Sequence, residues 1–227
     1  MEQALGGGCQ TTGVVRVGNT VRRPLHARSD YVHAVLRHLE AVGFAGAPRL
    51  LGIDEQGREV LSFLPGEVLL EPPHRLADVR LASCARLVRD FHDATAGSPL
   101  AAGAEVVCHG DLGPHNMVFD GERAVGIIDW DEGVTAGTRL VDFGHAVWCC
   151  ADIGEAGVEV RDQARRAALM CRVYGWDDPA QVLYEIADRL RRARDAHAAT
   201  GRWGGVEVFQ QMMDWMESNL PSLTAAL

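Results

Sequence analysis

Residues 109–131 read HGDLGPHNMVFDGERAVGIIDWD. In this run Asp111 stands five residues before Asn116, and Asp129 follows Asn116 by thirteen residues, at the end of the apolar run VGII. That order suits phosphoryl transfer to a hydroxyl. Such a reaction needs one carboxylate to orient the nucleophile, and an amide with a second carboxylate to hold magnesium. HGD by itself is common; HGD, Asn and a hydrophobic-Asp-Trp segment at these spacings are not. Asp111 as a plain cap or turn residue is the bland alternative, and Asn116 and Asp129 in register weigh against it. The neighbours read as structural: His115 as local packing, Asp120 and Asp131 as solvated turn carboxylates, Trp130 and Trp148 as core.

Outward from this run, NMVF and VGII form short strands joined by a turn at Asp120-Gly121. Toward the N-terminus, VVRVGNTVRR (14–23) reads as a hairpin around Gly18-Asn19. Ser29 or Asp30 can cap a helix whose Val32, Val35, Leu36 and Leu39 share one face, and which stops at Gly43. RLLGID and EVLSFL are two further strands joined by the turn DEQGR. The proline-punctuated PGEVLLEPPHR is a connector. A helix from Arg80 to Ala96 follows, carrying Leu81, Ala85, Val88 and Phe91 at helical spacing. Residues from about 138 to 220 are mostly helical, with apolar stripes in QARRAALMCRVYG, QVLYEIADRLRRARDAHAA and VFQQMMDWMESNL. The expected architecture is α+β. A small β-rich lobe with one helix spans residues 1–66, and a mainly helical lobe with the chemistry at its start spans residues 67–227. The cleft between such lobes is a common nucleotide site.

Composition narrows the chemistry. At 227 residues with 47% hydrophobic content, the chain can bury a sizeable core. A net charge of −9 argues against a nucleic-acid groove; it suits a cationic substrate, although net charge more often reflects solubility. All 22 basic residues are Arg, so a Lys-containing phosphate loop and Lys covalent or general-base chemistry are excluded. The six cysteines show no paired zinc or redox spacing, and Cys149 and Cys150 read as small buried hydrophobes. The N-terminal MEQALGGG lacks a basic start and a hydrophobic core, and no stretch reads as membrane-spanning. A reducing cytoplasm is the default expectation.

With these motifs in place, the chain resembles the aminoglycoside phosphotransferase family, small-molecule kinases with a protein-kinase-like two-lobe fold. The resemblance extends over the chain and is strongest from Val106 to Trp148. It implies that Asp111 is the base orienting the acceptor hydroxyl. Asn116 would be a magnesium ligand, and Asp129 a second one bridging the nucleotide phosphates. RLVDFGHAVW resembles the element in which Asp142 braces the catalytic loop, and His109 would support the backbone of that loop.

Folds of this kind grip phosphate with a Lys on the third strand, paired to a Glu on the neighbouring helix. Here the strand end TVRRP offers Arg23, or its neighbour Arg22, and the helix offers His33 or Glu40, of which His33 fits better by spacing. An Arg fork binds phosphate without reproducing a Lys point charge. LGGG resembles the family's first loop, where backbone N–H groups of Gly7 and Gly8 would cradle phosphate; a flexible terminus is the alternative. VLSFLPGE resembles the lobe connector, which would set backbone groups of Ser62 to Leu64 against a purine ring.

The expected activity is magnesium-dependent transfer of the γ-phosphoryl group of ATP or GTP to a hydroxylated small molecule, cationic if it is an aminoglycoside. Antibiotic resistance is one outcome; metabolic alcohols are the other. The alternative is a non-catalytic nucleotide-binding or regulatory protein that kept the scaffold. Asp152, Glu155, Asp214 and Glu217 are candidate linings for ammonium groups, or simply exposed helix charges, the reading we favour. No nucleic-acid or membrane partner is expected, and oligomeric state is left open.

Overall fold

The computed structural model describes residues 2–5, 13–69 and 75–227. The N-terminal lobe is an antiparallel sheet of β1 (Gln3–Ala4), β2 (Val15–Val17), β3 (Thr20–Arg23), β4 (Leu50–Ile53) and β5 (Glu59–Ser62). Their spatial order is β1-β2-β3-β5-β4. The hairpin turns at Gly18, whose φ of +60° is the left-handed conformation that a tight β2–β3 turn needs. In the β3–β5 pair, Thr20 faces Ser62 and Arg23 faces Glu59. Helix α1 (Ser29–Ala41) packs Val32, Val35, Leu36 and Leu39 into the core and ends ahead of Gly43. Its flanking residue is Arg28, without a side-chain cap; Ser29 lies in the first turn and accepts a bond from the N–H of His26. The expected Ser29 or Asp30 cap is therefore absent.

The chain crosses to the second lobe at Gly66 (φ +147°), where a Cβ would lie 2.5 Å from the carbonyl oxygen of Phe119. Only glycine allows that approach. Strand β6 (Glu67–Val68), inside the expected connector, then pairs with β8 (Met117–Asp120), which pairs with β9 (Arg123–Ile127). A two-stranded ribbon joins β7 (Val106–Cys108) to β10 (Thr135–Gly137). Helices α2 (Asp78–Thr95), α3 (Arg139–Cys150), α4 (Val160–Tyr174), α5 (Pro179–Ala199) and α6 (Trp203–Ala225) make up the rest of the lobe.

One hydrophobic cluster runs through both lobes, from Val32, Leu36 and Leu39 to Phe91, Trp130, Phe143 and Met170. Phe91 and Trp130 meet edge-on at 5.2 Å, a favoured aromatic geometry. Hydrogen bonds tie the same boundary. Ile127 N–H donates to the Gly46 carbonyl at 2.7 Å, and the Tyr31 hydroxyl donates to the Leu100 carbonyl at 2.8 Å. No helix among the described residues is long and apolar enough to cross a membrane.

Candidate active site

Strand β7 is fully buried and delivers the chain to the loop His109–Asp111. Two backbone N–H groups, those of His109 (2.9 Å) and Gly110 (2.8 Å), donate to the carboxylate of Asp142 in the first turn of α3. His92 also faces that carboxylate through Nε2 at 3.1 Å, and its Nδ1 meets the Tyr174 hydroxyl at 2.7 Å. Burial by itself would raise the Asp142 carboxyl, but His92 and the two N–H donors outweigh it and hold it below its ordinary value. Asp142 thus clamps the loop as an ionised anchor. His109 is buried, donates from Nε2 to the Ile128 carbonyl at 3.0 Å and stands edge-on to Trp130. Gly110 has φ +88°, and a Cβ there would lie 2.7 Å from the Gly133 carbonyl oxygen.

Asp111 and Asn116 are locked together. The Asn116 amide donates to the Asp111 backbone carbonyl and to its Oδ2, both at 2.9 Å. With the amide hydrogens so directed, the Asn116 carbonyl oxygen is the atom left to ligate a hard cation. His115 approaches Asp111 Oδ2 at 3.4 Å, and His145 Nε2 approaches Oδ1 at 3.6 Å. The His115 hydrogen bond outweighs burial and holds the Asp111 carboxyl well below the usual carboxylate range. Burial and the Arg189 cation push His145 down to about 4, so it is neutral at pH 7. Arg189 donates to the Gly110 carbonyl at 2.9 Å and faces His145 Nδ1 at 3.2 Å. His145 Nδ1 also stands 3.1 Å from the Gly110 carbonyl, so the ring is held between that loop and Arg189 with Nε2 facing Asp111.

Asp129 adopts φ +63°, a conformation uncommon for a side-chain-bearing residue and typical of functional sites. Burial and the neighbouring Asp131 raise its carboxyl, and Arg23 only partly offsets them. A bound cation would remove that cost, because it holds a ligating carboxylate in its ionised form. Among the described residues no group of three or more His, Cys, Asp or Glu side chains converges on a metal position. An Asn–Asp pair completed by water and phosphate oxygens is instead how magnesium is commonly held. The donor set fits that ion.

From the other lobe, Arg23 at the end of β3 reaches across. It pairs with Glu59, donates to the Trp130 carbonyl, and approaches Asp129 Oδ1 at 3.5 Å. Glu59, fully buried, also takes His33 Nε2 at 2.8 Å. The carboxylate that the helix lacks is therefore supplied by β5, and His33 reaches Arg23 only through it. Arg22 points elsewhere, to Asp54 at 3.3 Å. Glu40 faces Arg49 at 3.4 Å. Gly7 and Gly8 lie outside the described residues.

A cavity of about 350 Å³ opens between the lobes. Val14, Val21, Leu61, Leu64, Val118 and Ile128 supply apolar walls, and Arg23, Asn116 and Asp129 supply polar ones. Ser62 and Leu64 both line it. The N–H groups of Ser62 and Phe63 are already spent on the Arg49 and Asn19 carbonyls, so they cannot meet a ring. Along β5, Ser62 and Glu59 are three residues apart, or roughly 10 Å. The connector end and the Arg23–Asp129 end of the cavity are thus well separated. A second cavity, of about 230 Å³, lies within the helical lobe and includes Trp148, Ile186, Met212 and Trp215. His115 lines both.

Asp111, Asn116, Asp129 and Arg23 are brought together; Arg22 is not. Glu59, His145 and Arg189 escaped the sequence reading. A charged residue opening the apolar strand EVLSFL was the one visible sign of Glu59.

The phosphotransferase enzyme family profile matches residues 96–182. The trifolitoxin immunity protein of Rhizobium leguminosarum bv. trifolii is 36% identical over 263 aligned positions, covering 100% of this chain and 98% of that protein. The GDP complex of wild-type aminoglycoside 2'-phosphotransferase-IIIa superposes with a TM-score of 0.66 at 11% identity, over 96% of this chain and 93% of that one. A choline/ethanolamine kinase family protein from Mesorhizobium loti gives a TM-score of 0.60 at 17% identity, over 98% and 87%. At those identities the structural likeness establishes the fold alone. Sequence match and fold agree, and the chain belongs to the phosphotransferase enzyme family, with its protein-kinase-like fold.

Proposed function

We propose that the chain transfers the γ-phosphoryl group of a magnesium-bound nucleoside triphosphate, ATP or GTP, to the hydroxyl of a small molecule. The observation that carries this reading is the Asp111–Asn116 lock, two bonds of 2.9 Å, beside Asp129 in the wall of a cleft between lobes. Magnesium, when bound, would neutralise charge on the phosphate oxygens, and Asn116 and Asp129 are the residues that would hold it. Asp111, kept ionised, accepts a hydrogen bond from the acceptor hydroxyl and aligns its oxygen. A loose transition state asks for position more than basicity, so a weakly basic carboxylate serves. Arg23 orients Asp129 and adds positive charge where phosphate would lie. In this reading residues 1–66 hold the nucleotide, with Ser62 and Leu64 beside the base, and residues 67–227 carry the catalytic and acceptor groups.

The immunity protein among the relatives supports a protective role, in which a harmful small molecule is inactivated by phosphorylation in the cytoplasm. The test is transfer of labelled phosphate from ATP or GTP, with magnesium, to a panel of hydroxylated compounds. Asp111→Asn should abolish transfer while the protein still binds nucleotide. No transfer to any acceptor would count against catalysis. A second reading, nucleotide binding without turnover, draws on Arg23 being engaged by Glu59 and Trp130; measurable transfer would eliminate it.

A further inference from the structure

We infer that the acceptor side takes the apolar part of a hydroxylated molecule bearing at most one cation, and is built against polycations. This rests on the proposed transfer reaction, which makes the face of Asp111 the acceptor side. The 230 Å³ cavity adjoins that face: His115 lines it and contacts Asp111, and Cys149 and Trp148 continue its wall from α3. Its interior is chiefly Trp148, Ile153, Ile186, Leu190, Trp215 and Met216. Cys149 adds a neutral thiol, pushed up to about 12 by burial.

The carboxylates that would hold ammonium groups are missing from that interior. Asp152 lines it but is buried against Arg166 at 2.9 Å, so its charge is neutralised. Asp214 and Glu217 lie on exposed positions of α6, and Asp214 accepts from Gln210 instead. Glu155 alone is an exposed carboxylate in the lining, and Arg189 places a cation near Asp111. Several ammonium groups brought into this interior would be desolvated with Glu155 alone to pair them, which is costly. Apolar groups gain instead, because their surface is removed from water. Methionine walls adapt to more than one shape. At about 230 Å³ the cavity is below the ~300–1,000 Å³ of pockets that enclose a whole ligand, so it holds one ring or side group while the hydroxyl reaches Asp111.

The test is binding, followed by tryptophan fluorescence and thermal shift, with chloramphenicol and erythromycin as apolar hydroxylated probes. Kanamycin is the polycationic one, and the protein is saturated with Mg·ADP. The apolar probes should bind at least ten-fold tighter than kanamycin. Met212→Asp, at an exposed lining position, should weaken them about ten-fold, and Trp215→Ala likewise, with the Mg·ATP thermal shift unchanged. Kanamycin binding as tightly as the apolar probes would overturn the inference. So would the absence of binding by any probe, or apolar binding untouched by both variants. If the apolar probes bind as expected but no nucleotide is bound or turned over, the inference about the cavity stands and the kinase reading fails.

Discussion

Asp111 is governed by which neighbours carry protons. His115 Nε2 and His145 Nε2 face its two oxygens, and the His115 hydrogen bond keeps it ionised through the physiological range. Asp111→Asn keeps the bond pattern with Asn116 but removes the proposed acceptor of the hydroxyl proton. The expected loss in turnover is on the order of 100-fold or more, with nucleotide-induced thermal stabilisation retained. His145 makes a separate prediction about pH. Its folded value, near 4, lies below the ordinary 6.5, so between those pH values the unfolded chain binds a proton that the folded chain refuses. Stability therefore falls as pH drops from 6.5 toward 4. The shift corresponds to on the order of 3 kcal/mol for this buried ring. His145→Gln removes that contribution, and urea melts across the same window should show a shallower acid decline than in the unmodified protein. An unchanged slope would mean that His145 is protonated in the fold. Gly110→Ala meets both a left-handed φ and the Gly133 carbonyl, and should cost on the order of 1–3 kcal/mol while loosening the loop that Asp142 clamps.

The pairing of β3 with β5 decides how charge is handled beneath the cavity between the lobes. Its register sets Arg23 opposite Glu59, and α1 adds His33 to the same carboxylate. Removing one partner leaves a buried charge uncompensated, so Glu59→Ala should lose about 3–5 kcal/mol in denaturant unfolding. Replacing both, as Arg23→Met with Glu59→Leu, should cost less stability than Glu59→Ala while weakening nucleotide binding. A double variant as unstable as the single would show that the pair holds the sheet by more than charge. The same pair shows where sequence reading reached its limit. The hairpin, α1, the strands EVLSFL and NMVF, and the helical second half were legible, because periods of two and 3.6 survive in their apolar residues. Strands β6, β7 and β10 were not, since each is two or three residues long and exists only by pairing with a distant partner. The run proposed to be catalytic was legible because Asp111, Asn116 and Asp129 are close in sequence. Glu59 was sought on a helix, and only the β3–β5 register reveals it. The cavity of the helical lobe draws on α3, α5 and α6 together, a juxtaposition that no local pattern encodes.

At the scale of the molecule, the two lobes share one hydrophobic cluster, with Phe91 against Trp130 and Arg23 bonded to the Trp130 carbonyl at their boundary. Trp130 directly follows Asp129, so the residue that seals the lobes adjoins the residue proposed to hold magnesium. Unfolding one lobe would expose the packed face of the other, which predicts a single cooperative thermal transition rather than two. Nucleotide bound between the lobes, as proposed, would contact both and stabilise only the folded chain. At a free concentration of 100 times its dissociation constant it adds about 2.7 kcal/mol. For a chain of this size that raises the melting temperature by about 5–10 °C. Differential scanning calorimetry with and without Mg·ATP or Mg·GTP measures both effects. One transition, displaced as a whole and only when magnesium accompanies the nucleotide, is the expected result. Two transitions of which one moves would mean that the lobes are energetically separate and that the cleft is not a shared site. A full shift without magnesium would remove Asn116 and Asp129 from the binding of phosphate and leave the apolar walls of the cleft to carry it.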